Sequence, residues 1–291
     1  MIVVTGATGN VGRPLVQALA AAGEQVTAVS RRPADVPAPA DVQAPADGRT
    51  PTRVHHRQAD LADPASLTPV LDGADALFLL IAGGGETLNP HHIVDVAKAG
   101  GVGRIVLLSS QGAGTRPDSP AHAHLRAFED TVRQSGPDWT VLRPGGFDSN
   151  ALWWAEPIRS YGSVAAPFAD IGLPTVDPAD IAEVAAAVLR DGSHAGRTYE
   201  LTGPAPISPR QQVRAIGDAL GTSVRFVEQS REEARSQMVQ FMPEAVVDGT
   251  LAILGEPSAA EQRVSPDVER ILGRAPRTFA EWAARNTAAF G

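Results

Sequence analysis

Short apolar runs alternate with amphipathic stretches along the first half of the chain. Ile2–Thr5 is continuously apolar up to its last residue, Val11–Ala22 repeats its apolar positions at helical spacing as far as Gly23, and Gln25–Val29 is apolar again. Val54–Gln58, the weakest of the set, Ala76–Ile81, Arg104–Leu108 and Trp139–Leu142 complete six predicted strands. Between them, Asn89-Pro90 places a capping side chain and a first-turn proline ahead of His91–Ala99, and Gly100 closes that helix. Ser119-Pro120 opens a second such helix, expected to run to about Gln134 and to end at Ser135-Gly136-Pro137. Strands alternating with helices of this length predict a parallel sheet wound on both sides.

Past Arg143-Pro144-Gly145-Gly146 the alternation loosens. Helices are predicted over Asn150–Ser160, Ala179–Leu189, Pro209–Leu220, Arg231–Gln240, Glu244–Leu254, Pro266–Leu272 and Thr278–Phe290, with strands only at Thr198–Leu201 and near Val224–Val227. The expected architecture is therefore a doubly wound α/β domain, residues 1–150 and 174–202. A smaller, mostly helical lobe of residues 151–173 and 203–291 would carry the substrate side. Pro33–Arg53 holds five prolines and no period, and reads as an exposed loop, a lid or a tolerated insertion.

The strand-to-helix junction at the start carries the clearest chemistry. TGATGNVG, Thr5–Gly12, sets Gly6, Gly9 and Gly12 between the first strand and its helix. Glycines there allow a tight turn and let backbone N–H groups approach a pyrophosphate, while the helix N-terminus favours its charge. The second strand leads into Ser30-Arg31-Arg32, not into the Asp or Glu that would hold the ribose hydroxyls of NAD. A hydroxyl and an arginine fork suit a 2′-phosphate, so NADP(H) is expected.

Composition narrows the remaining classes. A net charge of −8 counts against nucleic acid or an anionic membrane as the main partner, and the absence of cysteine removes thiolate and cysteine–metal chemistry. No apolar run reaches the about 18 residues of a membrane span, and Met1-Ile2-Val3-Val4 lacks a signal-type leader. A cytoplasmic protein, monomer or homodimer, is the expectation. The adjacent pairs His55-His56 and His91-His92 suit solvated positions better than a shared metal, and no metal site is expected.

Taken with Asp60-Leu61 after the third strand, Ser109-Ser110 after the fifth, WTVLRPGGF (Trp139–Phe147), and DPADIAEVAAAVL leading to YELTGP, the glycine loop resembles that of the atypical short-chain dehydrogenase/reductases. The narrower resemblance is to the NmrA-like NAD(P)H-binding proteins, quinone and isoflavone-type reductases among them, and it covers nearly the whole chain. It implies that Gly6, Thr8, Gly9, Asn10, Val11 and Gly12 hold the pyrophosphate, that Ser30, Arg31 and Arg32 meet the 2′-phosphate, and that Asp60 and Leu61 flank the adenine. Leu80, Ile81, Ala82 and Gly83 would lie along the cofactor, with Ser109 nearby; Pro144, Gly145 and Phe147 would border the nicotinamide.

The superfamily sets a serine after the fifth strand and Tyr-x-x-x-Lys on the next helix. Ser110 can supply the first, but the only tyrosines, Tyr161 and Tyr199, lie well past that helix, and the single lysine, Lys98, precedes the fifth strand. His122 and Arg126 stand at helical spacing in the vacant place. Histidine can give a proton near neutral pH and arginine can hold a ribose, or both are polar residues of an exposed first turn. Asn150, Trp153, Trp154 and Phe168 are the candidate substrate wall, and would favour an apolar, planar molecule. The expected function is hydride transfer from NADPH to an aromatic, quinone-like or enone-like small molecule. The alternatives are a non-catalytic NADP(H)-sensing regulator and, against the missing Tyr and Lys, an epimerase-type enzyme acting on a nucleotide sugar.

Overall fold

The computed structural model describes residues 1–32, 54–81 and 85–291. The Pro33–Arg53 segment and the expected cofactor contacts Ala82 and Gly83 lie outside these. The strands are β1 Ile2–Thr5, β2 Val26–Ser30, β3 Val54–Gln58, β4 Ala76–Leu80, β5 Arg104–Leu108, β6 Asp138–Pro144, β7 Ser163–Pro167, β8 Arg197–Leu201 and β9 Arg225–Gln229. The helices are α1 Gly12–Ala21, α2 Pro64–Leu71, α3 Pro90–Ala99, α4 Gln111–Thr115, α5 Ala123–Gln134, α6 Ala155–Tyr161 and α7 Pro178–Arg190. They continue with α8 Pro209–Leu220, α9 Arg231–Met238, α10 Glu244–Gly255, α11 Ala259–Gln262, α12 Asp267–Leu272, α13 Phe279–Arg285 and α14 Thr287–Phe290.

A seven-stranded sheet runs β3-β2-β1-β4-β5-β6-β8, with parallel pairing from β3 through to β6. Every residue of β1 and β2 is buried, as expected of strands covered on both faces, whereas the polar β3 (VHHRQ) sits at the edge. Strand order reverses between β1 and β4, which places the ligand crevice of such a sheet outside their carboxyl ends.

The chain divides into two compact units. The first comprises 1–110, 124–143 and 181–199; the second comprises 111–123, 144–180 and 200–291. The division differs from the sequence boundaries because the segments leaving β5, β6 and β8 pack with the helices that follow. Gly145 N–H donates to Leu201 O at 2.9 Å, and Val176 N–H to Gly146 O at 2.8 Å. The sheet core gathers Val3, Leu77, Leu79, Ile105, Leu107 and Phe128. A separate core in the second unit joins Ile158, Val213, Ile216, Phe279, Trp282 and Phe290.

That unit also contains a strand not legible in the pattern: β7 pairs in parallel with β9. Four helices of its C-terminal part, α8, α9, α11 and α13, start on capping boxes at Ser208, Ser230, Ser258 and Thr278, each with Gln or Glu three residues on. In the first unit the Asn89 side chain accepts from His91 N–H at 3.0 Å, capping α3 as its sequence implies.

Candidate functional site

In the first unit the glycine loop is bent as its sequence requires. Gly6 has φ +64°, the left-handed region a side chain disfavours, and Gly9 N–H donates to Gly6 O at 3.0 Å, closing the turn. A Cβ on Gly12 would lie 2.1 Å from Gly6 O, so α1 can start this close to the turn only with glycine there. Gly9 and Asn10 are exposed and no side chain caps α1 at Val11. Arg13 N–H bonds back to Gly9 O at 3.1 Å and Pro14 carries no N–H, so an anion would be met by the backbone of the loop just ahead of the helix and by the helix dipole. Thr5 fixes the loop to the neighbouring strand: its hydroxyl donates to Phe78 O at 3.1 Å and accepts from Leu80 N–H at 2.9 Å. Gly6 thereby lies against Leu80, whose Cδ2 would be 3.1 Å from a Cβ at that position. The cradle suits a dinucleotide pyrophosphate.

At the end of β2, Ser30 is buried and Arg31 and Arg32 are exposed. Asp60 turns its carboxylate onto Ala62 N–H at 3.0 Å, and its own N–H donates to Ser66 Oγ at 3.0 Å, which shapes the turn after β3. Leu61 and Ile81 are half-buried beside the sheet core.

Ser109, expected near the cofactor, is buried. Its hydroxyl donates to Glu129 Oε1 at 2.6 Å, a carboxylate only 1% exposed. Arg143 forks onto the same carboxylate at 2.9 and 2.6 Å, and Arg133 adds a bond at 2.7 Å. Burial works to raise the Glu129 pKa, but the bonds from Arg143, Ser109 and Arg133 outweigh it and hold the group below its ordinary value. Glu129 was not a candidate from sequence; the available hint was Arg133 one helical turn on. Ser110, the expected catalytic serine, follows at the end of this unit and is half-buried.

The helix expected from Pro120 begins instead as a 3₁₀ turn, Pro120–His122, and becomes α-helical at Ala123. His122 thus closes the turn in the second unit, whereas Arg126 lies in the first turn of α5 in the first unit. The His122 ring is seated against α4, where a Cβ on Gly112 would stand 2.3 Å from its Nε2. His124, in the first unit, lies against Gly85.

Also in the second unit, Pro144 ends β6, Gly145 bonds to Leu201 as above, and Phe147 bridges to Val176. The two tryptophans point apart. Trp154 is half-buried and packs against the helical core that holds Phe279 and Trp282. Trp153 is 69% exposed and meets the equally exposed Phe241 with ring centroids 5.9 Å apart. Phe168 has φ 56°, the one positive φ outside glycine among the described residues, and packs beside Ala234, Val247, Leu251, Met238 and Met242. Asn150 is exposed.

Asp148, which sequence reasoning passed over, is fully buried, and neither carboxylate oxygen has a hydrogen-bond partner among the described residues. Burial pushes its pKa up to about 7; the Thr175 hydroxyl, near but outside hydrogen-bonding geometry, lowers it, Asp177 and Asp180 raise it further, and Arg285 lowers it. Those two aspartates are partnered. Asp180 holds Arg274 at 2.7 Å and also Arg277, and Asp177 holds Arg285 and the N–H of Ala179.

A parallel sheet with a reversal beside a glycine loop, an uncapped helix start and a Ser-Arg-Arg strand end defines a dinucleotide-binding protein of the Rossmann type. Residues 6–192 match the family described as NAD(P)H-binding. The chain is 36% identical to the (4-alkanoyl-5-oxo-2,5-dihydrofuran-3-yl)methyl phosphate reductase of Streptomyces griseus, covering 100% of this chain and 99% of that protein. It is 32% identical to the NAD(P)H azoreductase of Xenophilus azovorans, at 100% and 99% coverage. The Escherichia coli NADPH-dependent quinone oxidoreductase solved with NADPH superposes with a TM-score of 0.79 at 25% identity, covering 98% of this chain and 99% of that one. The chain belongs to the NAD(P)H-binding family, among its NmrA-like, atypical short-chain dehydrogenase/reductase members. Among the described residues no helix is long and apolar enough to cross a membrane.

Proposed function

We propose that the protein is an NADPH-dependent reductase that delivers hydride to a planar, apolar small molecule, a quinone, enone or related aromatic. The observation that carries the cofactor half is the loop at the carboxyl end of β1, with Gly6 at positive φ and Gly12 against Gly6 O, next to a β2 that ends in Ser30, Arg31 and Arg32. When bound, the cofactor supplies hydride from nicotinamide C4, and this chain binds, orients and supplies or relays the proton. Gly6, Thr8, Gly9, Asn10, Val11 and Gly12 hold the pyrophosphate and Arg31, with Ser30 and Arg32, the 2′-phosphate. Leu80 and Ile81 line the cofactor, and Pro144, Gly145 and Phe147 border its nicotinamide.

His122 is the proposed proton donor to the reduced oxygen, assisted by Ser110, and Arg126 the proposed ribose partner in place of lysine. Ser109 has committed its one hydroxyl proton to Glu129, so it can accept a hydrogen bond from a ligand but not donate one. The substrate side is Asn150, Trp153, Trp154 and Phe168. Relatives are named as an azoreductase and a quinone oxidoreductase, and the exposed rings of Trp153 and Phe241 suit a flat, apolar acceptor.

The missing Tyr and Lys favour one second reading, an NADP(H) sensor without turnover. Following absorbance loss at 340 nm with NADPH and a panel of quinones, enones and azo compounds separates the two. Turnover with at least one acceptor supports the reductase; tight NADPH binding with turnover of none supports the sensor. His122→Ala is expected to remove the protonation step from the pH profile of kcat, and an unchanged profile would exclude His122 as donor.

A further inference from the structure

α10 carries two glycines in its last two turns, and each is where another segment enters. A Cβ built at Gly249 would stand 2.7 Å from the Cβ of Ala121, and one at Gly255 would stand 2.5 Å from Cζ of Phe168. Neither position has a positive φ, so space and not backbone conformation calls for glycine. Gly249 costs the helix interior roughly 1 kcal/mol relative to alanine, and Gly255 is its last residue, which makes the two notches worth explaining. Six residues apart, they lie about 9 Å along the axis and about 120° around it, so the helix is gripped from two sides.

The first notch holds the 3₁₀ turn that ends in His122. On its other side the same turn meets Gly112 of α4, where an added Cβ would fall 2.3 Å from Nε2 and 2.5 Å from Cε1 of the His122 ring. Two glycines on two helices therefore clamp one short turn, one at Ala121 and one at the imidazole. The second notch holds Phe168. Its left-handed backbone costs about 1–2 kcal/mol and narrows the directions open to the ring, which then occupies the space a side chain at 255 would take. Around that ring lie Met238 and Met242, adaptable side chains that tolerate differently shaped neighbours, and Phe241 between them in sequence reaches Trp153.

We propose that α10 is the template that sets the proton donor and the substrate wall in register: Gly112 and Gly249 are positioning residues for His122, and Gly255 is the positioning residue for Phe168. The proposal rests on the reductase reading for its catalytic consequence, but not for its structural one. Filling the His122 side disturbs proton delivery; filling the Phe168 side disturbs the fit of the aromatic substrate. The two effects are separable because they enter at different faces of one helix.

The test uses the full-length protein. Gly249→Ala and Gly112→Ala are expected to lower kcat about tenfold or more, as misplacements near 1 Å do, with KM changed less than about twofold. Both should also shift the His122 imidazole resonances and their titration by NMR, a readout independent of turnover. Gly255→Ala should raise KM for bulky aromatic acceptors several-fold, leaving the pH profile of kcat and the His122 resonances in place. NADPH affinity should be parental in all three. Because Gly249→Ala can fail to fold, Ala121→Gly is combined with it: removing the second Cβ relieves the 2.7 Å contact and should restore the parental resonances. Unmoved His122 resonances in Gly112→Ala and Gly249→Ala would overturn the proposal. So would a Gly255→Ala defect indistinguishable from theirs, or a double variant that restores nothing. If His122→Ala keeps the parental pH profile, the donor assignment falls, and the resonances still decide whether the glycines hold the turn.

Discussion

Replacing Asp148 by asparagine is expected to change how stability depends on pH more than it changes stability at any one pH. In the folded chain the carboxyl is pushed up to about 7, against 3.8 for an ordinary aspartate, because it is fully buried without a hydrogen bond to its oxygens. The folded state therefore binds a proton that the unfolded chain has released across the whole interval between those values. Stability from this group is intact below about pH 4, declines as pH rises, and is fully lost once pH passes about 7. A difference near 3 pKa units at about 1.4 kcal/mol each makes the loss about 4 kcal/mol, an upper figure since water entry and local rearrangement reduce it.

Asparagine has nearly the same shape and no titration. Its amide is also buried, and an unsatisfied polar group costs roughly 1–3 kcal/mol, so the variant should be no better than its parent at pH 4 to 5. At pH 8 to 9 it should be the more stable of the two. Glu129 and Glu261, both lowered by arginine partners, lose their contributions on acidification in parent and variant alike, and drop out of the difference. Chemical denaturation at unit pH steps measures that difference, and thermal melts follow it at about 2–4 °C per kcal/mol. Parent and variant curves that run parallel from pH 4.5 to 9 would refute the assignment of a neutral, buried Asp148.

Arg31→Ala should weaken NADPH by about ten- to a hundredfold and NADH by far less, read by fluorescence titration of each; equal weakening would remove the 2′-phosphate contact. Glu129→Gln leaves Arg133 and Arg143 without their shared buried carboxylate and should cost about 3 kcal/mol in urea denaturation; a cost under about 1 kcal/mol would mean the network contributes little. Gly12→Ala must displace Gly6 O from 2.1 Å, so NADPH binding should fall below detection in calorimetry while the protein stays folded by circular dichroism; parental affinity would contradict the cradle.

Much of the sheet was legible because its information is local. β1, β3 and β5 fall on the predicted residues; β1 and β5 do so because strands buried on both faces read as continuous apolar runs, whereas β3 is a polar edge strand placed by the alternation of elements around it. β7 was missed because SVAAP is a short, half-exposed strand whose partner, β9, lies far along the chain, and such pairing leaves no periodic trace. The helix expected from Pro120 starts as a 3₁₀ turn for a tertiary reason: Ala121 and His122 are fitted against glycines 249 and 112, contacts that no local pattern encodes. The same holds for Asp148, which reads as an ordinary helix-start aspartate until burial removes its water.

Of the two serines after β5, Ser109 is committed to structure, which leaves Ser110 as the one for the motif's work. In the superfamily that serine and the Tyr-Lys pair act together on one carbonyl. Here Ser109 is buried with its proton given to Glu129, and Glu129 is held ionised by Arg143 from the LRPGG segment and by Arg133 from α5. An anionic acceptor at 2.6 Å is a stronger partner for a hydroxyl than a neutral ligand carbonyl, so ligand binding would not draw that proton away. With no tyrosine on α5 to be oriented, committing Ser109 to structure costs the chain nothing in that mechanism, and the network instead ties β5, α5 and β6 together. On the reductase reading, the proton comes from His122 assisted by Ser110, from the substrate or from water. This is why the pH profile of His122→Ala carries more weight than any serine substitution: Ser109→Ala should lower stability through Glu129 and leave that profile where it was.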